Sequence, residues 1–277
     1  MLRHAMCNEA FEGRPFDLVC GALRSAGYTG IEIAPFTLAP SPGEITQGRR
    51  RELREIMRGE GLGFVGLHWL MVSPAGLHVT TPDDSVRERG WNHIRESIRL
   101  CADLATEAQT LGAPVMVFGS PKQRGTTGGS SRAEATRRFT DGLRSVARDA
   151  EANGVTVLVE ALPANQCDVV NTLKEAVEIV RSIGSPAVRT MFDTHNAVDE
   201  AAPHEELIER YFPFIRHVHV NETDGRYPGT GSYPFGPVLR TLERLGYNGW
   251  VSLEVFDFNP DPETVARESL RYLTSQS

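Results

Sequence analysis

The chain has 277 residues, which is enough for one large α/β domain or for two domains of about 150 residues. With 40% hydrophobic and 23% charged residues it has the composition of a folded protein, which excludes a small disulfide-stapled scaffold and a disordered chain. Its formal net charge of -7 argues against general binding of nucleic acid or of an anionic membrane surface, since both need an excess of basic residues.

Short apolar segments recur along the chain, and several follow a glycine that ends an amphipathic stretch, as at Gly30, Gly63 and Gly154. Glycine is a common C-cap of helices, and the β-branched runs that follow are typical of buried strands. We predict strands near residues 3–7, 30–34, 63–68, 114–119, 155–160, 188–193, 215–221 and 250–255. We predict helices over residues 16–26, 45–61, 84–111, 131–153, 172–183, 204–211, 234–245 and 262–275.

These elements form eight strand–helix units. Alternating strands and helices predict a parallel sheet with right-handed crossovers, and eight units predict a closed (β/α)8 TIM barrel. An open, doubly wound sheet is the alternative, but no G-x-G-x-x-G motif follows the first strand. We therefore expect an α/β fold in which residues 1–277 form a single TIM barrel domain. Asp83 or Asp84 and Ser130 or Ser131 are the expected N-caps of two of its helices.

The ends of four successive strands carry residues that bind metals. The predicted strands end in or near Glu160, Asp193, His219 and Glu254, and catalytic groups of TIM barrels lie at this end of the strands. A single carboxylate at a strand end is a loop cap or an ion-pair partner as often as it is a metal ligand. Burying the whole cluster without a cation would be costly, so the pattern predicts a divalent-metal site. Three carboxylates and an imidazole suit Mn²⁺ best, with Mg²⁺, Co²⁺ or Zn²⁺ as alternatives.

The cysteines and the N-terminus give no sign of secretion. The four cysteines form no CxxC pair and no zinc-ribbon spacing. The N-terminal segment lacks the apolar run of a signal peptide, and no stretch approaches the roughly 18 apolar residues of a membrane span. We expect a cytoplasmic protein with free thiols, no membrane partner and no nucleic-acid partner.

Short motifs surround the four strand-end residues. They are Val159-Glu160, Phe192-Asp193-Thr194, His217-Val218-His219 and Ser252-Leu253-Glu254, joined by the segments 27–32 and 228–231. With this ordered set, the sequence resembles the xylose isomerase-like TIM barrels, the sugar phosphate isomerase/epimerase family that includes ketose 3-epimerases and hydroxypyruvate isomerases. The spacing of the four residues is similar to that in the ketose 3-epimerases.

The resemblance implies a metal-dependent isomerase or epimerase. It implies that Glu160, Asp193, His219 and Glu254 bind the metal, and that Glu160 and Glu254 also act as acid and base on either side of the substrate. One takes a proton from the carbon next to a carbonyl, and the other returns a proton to the enediolate. The implied substrate is a ketose, keto-acid or related polyol, and the implied assembly is a homodimer or homotetramer.

Three positions that the resemblance assigns to substrate oxygens differ from the family pattern. Gln166 stands where a glutamate is expected, and Asn196 stands where a histidine is expected, with His195 just before it. Gly225 replaces an expected arginine, and Arg226 follows it. We therefore predict that Gln166, His195, Asn196 and Arg226 bind substrate in an altered arrangement, which argues against a simple ketohexose 3-epimerase.

Other residues near strand ends are candidates with two interpretations each. His68 and Trp69 end the third strand, and the indole would either stack on a sugar or pack in the core. Lys122 and Arg124 follow the fourth strand, and these two cations would bind a phosphate or carboxylate or remain solvated. We expect Glu32 to pair with a neighbour. His217 faces the same way as the metal-binding candidate two residues later, one layer deeper, and is expected to support it.

Other functions on the same barrel remain as alternatives. Relatives of this kind include lyases that dehydrate inososes or 3-dehydroshikimate, and enzymes that cleave glycosidic bonds in 3-keto sugars. An endonuclease resembling endonuclease IV would need a histidine-rich three-zinc site and a basic face, which eight histidines and a negative net charge do not favour. A non-enzymatic binding barrel would have no use for the four strand-end residues.

Overall fold

The computed structural model describes residues 1–105 and 112–276. In these residues eight parallel strands follow one another around a closed barrel, and the last strand pairs with the first. The strands are β1 (Arg3–Cys7), β2 (Gly30–Ile33), β3 (Gly63–Leu67), β4 (Val115–Phe118), β5 (Thr156–Val159), β6 (Val188–Asp193), β7 (Ile215–Val220) and β8 (Trp250–Leu253). The predicted (β/α)8 barrel is confirmed.

Helices surround the barrel and connect its strands. Within the described ranges they are α1 (Phe16–Ala26), α2 (Gln47–Gly59), α3 (Asp84–Leu104), α4 (Pro121–Arg124), α5 (Arg132–Ala152), α6 (Leu173–Ile183), α7 (His204–Tyr211), α8 (Phe235–Arg244) and α9 (Pro262–Gln276). The predicted helix over 84–111 is seen as α3, and its last part, residues 106–111, lies outside the described residues. The short helix α4 was not predicted, because four residues are too few for a hydrophobic period.

Side-chain caps fix where the long helices begin. Asp83 accepts hydrogen bonds from the main-chain nitrogens of Ser85 and Val86, so it caps α3. Ser131 caps α5 in a reciprocal pair with Glu134. Of the two candidates at each helix start, the structure selects Asp83 and Ser131. These caps satisfy main-chain N–H groups that have no partner inside the helix.

Alternate strand residues face the barrel interior and divide it into layers. Leu158 lies two residues before Glu160, and Met191 lies two residues before Asp193, so the apolar and ionisable residues of each strand point the same way. The apolar residues form one buried cluster of Ala5, Val65, Val115, Val117, Leu158, Met191 and Trp250. The buried carboxylates that end β5, β6 and β8 therefore lie at the C-terminal end of the barrel, above an apolar layer.

The four cysteines, Cys7, Cys20, Cys101 and Cys167, are buried and free, as the sequence predicts. None of the helices in the described part of the chain is long and apolar enough to cross a membrane.

The packing of α3 against α5 depends on a glycine. The indole of Trp91 lies over Gly142, and a Cβ at that position would overlap the ring. Trp91 is held in place by Phe118 and Phe139, whose ring centroids lie 5.7 and 6.2 Å from its own. We therefore expect Gly142→Ala to lower the midpoint of thermal unfolding by roughly 3–10 °C, since overpacking costs about 1–3 kcal/mol.

Gly21 provides the matched control for this change. It lies inside α1, and a Cβ added there would meet no atom within 4 Å. Gly21→Ala is expected to leave the midpoint unchanged or to raise it, because alanine favours the helix by about 0.5–1 kcal/mol. Circular dichroism measures both variants, and equal midpoints for the two would contradict the packing argument.

Candidate active site

Four ionisable side chains converge at the C-terminal end of the barrel. Asp193 is the last residue of β6, His219 lies in β7, and Glu160 and Glu254 directly follow β5 and β8. All four are buried, and each offers a ligand atom within 4.8 Å of the others. The structure thus brings together the predicted quartet. β5, β7 and β8 are one or two residues shorter than predicted, whereas β6 has the predicted bounds.

The ring of His219 is held between two sets of carboxylates. Its Nδ1 lies 3.1 Å from Oε2 of Glu254 and 3.6 Å from Oδ2 of Asp193. Its Nε2 lies 3.1 Å from Oε1 of Glu32, on the opposite side. A metal-binding histidine commonly donates its second N–H to a carboxylate, which fixes the tautomer and orients the ring. The Nδ1 atom is therefore the one that faces the quartet.

Glu32 joins two histidines below the quartet. It accepts hydrogen bonds from Nε2 of His217 at 2.8 Å and from His219, and all three side chains are buried. The expected pairing of Glu32 and the deeper position of His217 are therefore observed. Sequence reasoning missed that the two expectations describe one network, because its members come from β2 and β7, 185 residues apart.

The backbone that follows β6 orients Asp193. Its Oδ1 accepts hydrogen bonds from the main-chain nitrogens of His195, at 2.7 Å, and Asn196, at 2.9 Å. Its Oδ2 is buried and has no hydrogen-bond partner among the described residues. Asn196 also donates through Nδ2 to Oε1 of Glu160, at 2.9 Å. A buried carboxylate oxygen without a donor, set beside two more carboxylates and an imidazole nitrogen, is the arrangement that a divalent cation fits.

Burial and mutual repulsion separate the pKa values of the two glutamates. Burial, together with the charges of Glu254 and Asp193, raises the pKa of Glu160 to about 8. Burial also acts to raise the pKa of Glu254, but His219 outweighs it and the pKa is lowered. For His219, burial is outweighed by Glu32 and Glu254, so its pKa lies well above the ordinary value. The site therefore contains one carboxyl group with a raised pKa and one with a lowered pKa, as pairs of a catalytic acid and base do.

A small cavity of about 170 Å³ opens above the quartet. Its polar lining consists of Glu160, Glu254, Gln166, Asn196 and Ser120, and its apolar lining includes Trp69, Leu162 and Phe256. Three of the predicted substrate-binding residues, Trp69, Gln166 and Asn196, thus line the cavity. His195 lies beside them, with its Nε2 3.4 Å from Nε2 of Gln166.

Three other predicted substrate residues are not brought to this cavity. His68 is fully buried, and its Nε2 lies 2.7 Å from Oε2 of Glu9, so it belongs to the layer below. Lys122 is exposed on α4. Arg226 is exposed in a turn where its guanidinium lies 2.7 Å from the carboxylate of Asp224. The turn and the short helix direct both cations toward solvent.

Two residues of the segment after β4 have roles that the sequence did not predict. Arg124 is fully buried and donates to the carbonyl oxygens of Phe118, at 2.8 Å, and Glu160, at 2.7 Å, which ties the ends of β4 and β5 together. Ser120 has a left-handed backbone with φ 48° and a buried hydroxyl without a hydrogen-bond partner in the described chain. The sequence does not indicate these two roles. The run Pro121–Arg124 contains two cations, Lys122 and Arg124, and nothing in the sequence shows which of them is buried.

The raised pKa of Glu160 predicts a pH dependence of stability in protein treated with EDTA. A carboxyl whose pKa is 4.5 when unfolded and about 8 when folded contributes its full stability below about pH 4.5 and loses it as the pH rises through 8. Relative to Glu160→Gln, the free energy of unfolding of the wild type is expected to fall by roughly 2–5 kcal/mol between about pH 5 and about pH 9.

Urea denaturation at a series of pH values measures this difference. Glu55→Gln, an exposed substitution on α2, is the control and is expected to follow the wild-type curve. Parallel curves for the wild type and Glu160→Gln would contradict the prediction.

Comparison with known proteins assigns the chain to a family. Over 119 residues it is 31% identical to a D-psicose 3-epimerase of Ruminiclostridium cellulolyticum, covering 43% of this chain and 41% of that protein. The chain therefore matches less than half the length of this relative. Over 246 residues it is 26% identical to a putative hydroxypyruvate isomerase of Streptomyces coelicolor, covering 84% of this chain and 82% of that protein.

Solved structures agree on the fold. A 3-keto-D-glucoside 4-epimerase from E. coli superposes with a TM-score of 0.82, covering 99% of this chain and 100% of the other at 19% sequence identity. The family model described as xylose isomerase-like TIM barrel matches residues 20–276, which confirms the resemblance seen in the sequence. The chain belongs to the xylose isomerase-like TIM barrel family.

Proposed function

We propose that this protein is a divalent-metal-dependent sugar isomerase or epimerase. It would move a proton at the carbon next to the carbonyl of a ketose, keto-acid or related polyol. The observation that carries this proposal is the pair of buried carboxyl groups, Glu160 and Glu254, at the floor of one cavity beside Asp193 and His219. The names of the relatives, epimerases and isomerases of sugars and of hydroxypyruvate, support the same class of reaction.

The quartet would hold the metal. Oxygen atoms of Glu160, Asp193 and Glu254 and the Nδ1 of His219 form a donor set suited to Mn²⁺, which we propose ahead of Mg²⁺, Co²⁺ and Zn²⁺. A bound cation would supply Lewis-acid polarisation of the substrate carbonyl. Glu32 would keep His219 in the tautomer that presents Nδ1 to the cation.

The two glutamates would carry the proton. Glu254, which His219 keeps ionised, would accept the proton from the α-carbon, and Glu160 would return a proton. If they act on opposite faces of one carbon, the product is an epimer. If the proton returns to the neighbouring carbon, the product is the aldose or ketose isomer. In both cases the carboxylates must lie near the C–H bond, and the small cavity that they line would hold the substrate close to them.

Polar atoms without partners would orient the substrate. Ser120 Oγ and Asn196 Oδ1 are buried and have no hydrogen-bond partner among the described residues. Leaving such atoms unpaired costs about 1–3 kcal/mol each, so hydroxyl groups of a bound sugar would compensate them. Gln166 and His195 would make further contacts at the cavity mouth. The homodimer or homotetramer and the cytoplasmic location expected from the sequence stay predictions.

Proton transfer is tested by nuclear magnetic resonance in D₂O. Metal-supplemented protein is mixed with ketoses, keto-acids, inososes and 3-keto sugars, and deuterium is expected at the carbon next to a carbonyl. Glu254→Gln is expected to slow this exchange by at least about 10³-fold, since it removes a general base. Glu55→Gln, on the exposed face of α2, should exchange at the wild-type rate. Loss of water or cleavage of a bond without deuterium incorporation would overturn the proposal, as would an active Glu254→Gln.

Metal dependence is tested by chelation. Dialysis against EDTA is expected to abolish exchange, and Mn²⁺ at a hundredfold excess over its dissociation constant should raise the unfolding midpoint by about 5–10 °C. Asp193→Asn should remove this shift, because Oδ2 of Asp193 has no hydrogen-bond partner within the described residues and would be free to bind the metal. Full activity of chelated protein, or an equal Mn²⁺ shift in the variant, would contradict the proposed site.

A further inference from the structure

A larger cavity lies at the end of the barrel opposite the quartet. Its volume is about 700 Å³, a size typical of small-molecule sites. Arg3, Thr156 and Trp250, the first residues of β1, β5 and β8, line it, so we call it the N-terminal cavity. The exposed residues Arg216 and Asn248 also line it, which leaves it open to solvent. Since catalytic groups of TIM barrels lie at the other end, the N-terminal cavity is separate from the site of the proposed reaction.

Three arginines at this end of the barrel have no carboxylate partner within the described residues. Arg3 and Arg216 line the N-terminal cavity. Arg189 is close enough to Arg216 for their charges to interact, because burial and then the charge of Arg216 lower the pKa of Arg189. The hydrogen bonds of Arg189 and Arg216 go to main-chain carbonyl oxygens, which carry no full charge. In a chain with a formal net charge of -7, this local excess of cations favours the binding of an anion.

The guanidinium of Arg3 is held in place but is incompletely hydrogen-bonded. Its Cζ lies 4.8 Å from the ring centroid of Trp250, so a cation–π contact orients it. Its Nη1 is buried and has no hydrogen-bond partner among the described residues, which is costly for a charged donor. Tyr247 does not supply the missing charge, because burial raises the pKa of its hydroxyl, which donates to the carbonyl of Trp250 at 2.9 Å. A phosphate or carboxylate oxygen would accept from Nη1 and offset the charge.

The wall of the N-terminal cavity carries polar atoms as well as the apolar side chains of Val65 and Val115. One lining residue is the fully buried His217, whose Nε2 hydrogen-bonds Oε2 of Glu32 at 2.8 Å. Its Nδ1 is also buried and has no partner in the described part of the chain. With the proton of the neutral ring on Nε2, Nδ1 is an acceptor, to which a hydroxyl group would donate. Thr156 adds a hydroxyl of its own, so the lining suits a ligand that has hydroxyl groups beside its anionic group.

We propose that the N-terminal cavity binds a small hydroxyl-bearing molecule through a phosphate or carboxylate group. The anionic group would lie against Arg3 and Arg216, and the hydroxyl groups would reach His217 and Thr156. This inference does not rest on the proposed function, because the residues that line the N-terminal cavity belong neither to the quartet nor to the cavity above it.

The test compares charged with uncharged polyols by calorimetry. The protein is freed of metal with EDTA, which is then removed by dialysis, and is titrated with D-glucitol 6-phosphate, D-gluconate and uncharged D-glucitol. None of these is an aldose or ketose that the proposed reaction would consume. At least one of the two anions is expected to bind one-to-one and about tenfold more tightly than D-glucitol, from its charged hydrogen bonds. The tighter anion shows whether the ligand carries a phosphate or a carboxylate. No binding of either anion, or equal affinities for all three compounds, would overturn the inference.

Substitutions of single arginines locate the anion. Arg216→Gln, made at an exposed position, is expected to keep the fold and to weaken binding of the preferred anion about tenfold. Arg51→Gln removes the same charge from an exposed position of α2 and should bind as the wild type does. Arg3→Gln should weaken binding at least as much. Because it also removes the contact with Trp250, circular dichroism checks its fold, and Arg216→Gln decides alone if that fold is lost. Wild-type affinity in Arg216→Gln would overturn the inference.

Asp193→Asn separates the N-terminal cavity from the proposed active site. This substitution changes the quartet at the other end of the barrel and should leave the affinity for the anion unchanged. Loss of anion binding in Asp193→Asn, with full binding in Arg216→Gln, would place the anion at the quartet and overturn the inference. Deuterium exchange on a sugar without anion binding overturns this inference alone, and anion binding without exchange on any sugar overturns the proposed reaction alone.

Discussion

The central constraint on this protein is the burial of three carboxylates around one imidazole. Glu160, Asp193 and Glu254 are withdrawn from water at one end of the barrel, and His219 lies among them and offsets part of their charge. Such an arrangement is unfavourable unless protons or a cation compensate it, and the raised pKa of Glu160 is the direct consequence. Both the proposed metal and the proposed acid–base pair follow from this one electrostatic requirement.

The layers beneath the quartet support it. Glu32 holds His217 and His219, and Glu9 holds His68, so each of these three imidazoles has a carboxylate partner. Below this ionic layer lies the buried apolar cluster that includes Leu158 and Met191. Above it the cavity opens to a wall that is polar on one side and aromatic on the other. Toward the C-terminal end of the barrel, the apolar cluster is followed by the layer of paired histidines and carboxylates, and then by the cavity.

Much of the fold and the quartet could be predicted from sequence because both depend on local order along the chain. Each strand is a short buried run, and in a parallel barrel all strand ends meet on one face, so Asp193 and Glu254 had to lie near one another. The positions of His68, Lys122 and Arg226 were not predictable in the same way. Glu9 lies 59 residues from His68, and no spacing distinguishes an arginine that points inward from a lysine that points outward.

The sequence by itself determined the barrel, the strand ends and the residues that meet there, since hydrophobic period and chain order are enough to place them. Only the tertiary structure decided which side chains contact one another and which are buried. It placed Arg124 inside and Lys122 outside, joined Glu32 to His219, and filled the space beside Gly225 with Phe256. The physical reason is that burial and hydrogen bonding depend on distances between segments remote in sequence, which close packing fixes only when the whole barrel is assembled.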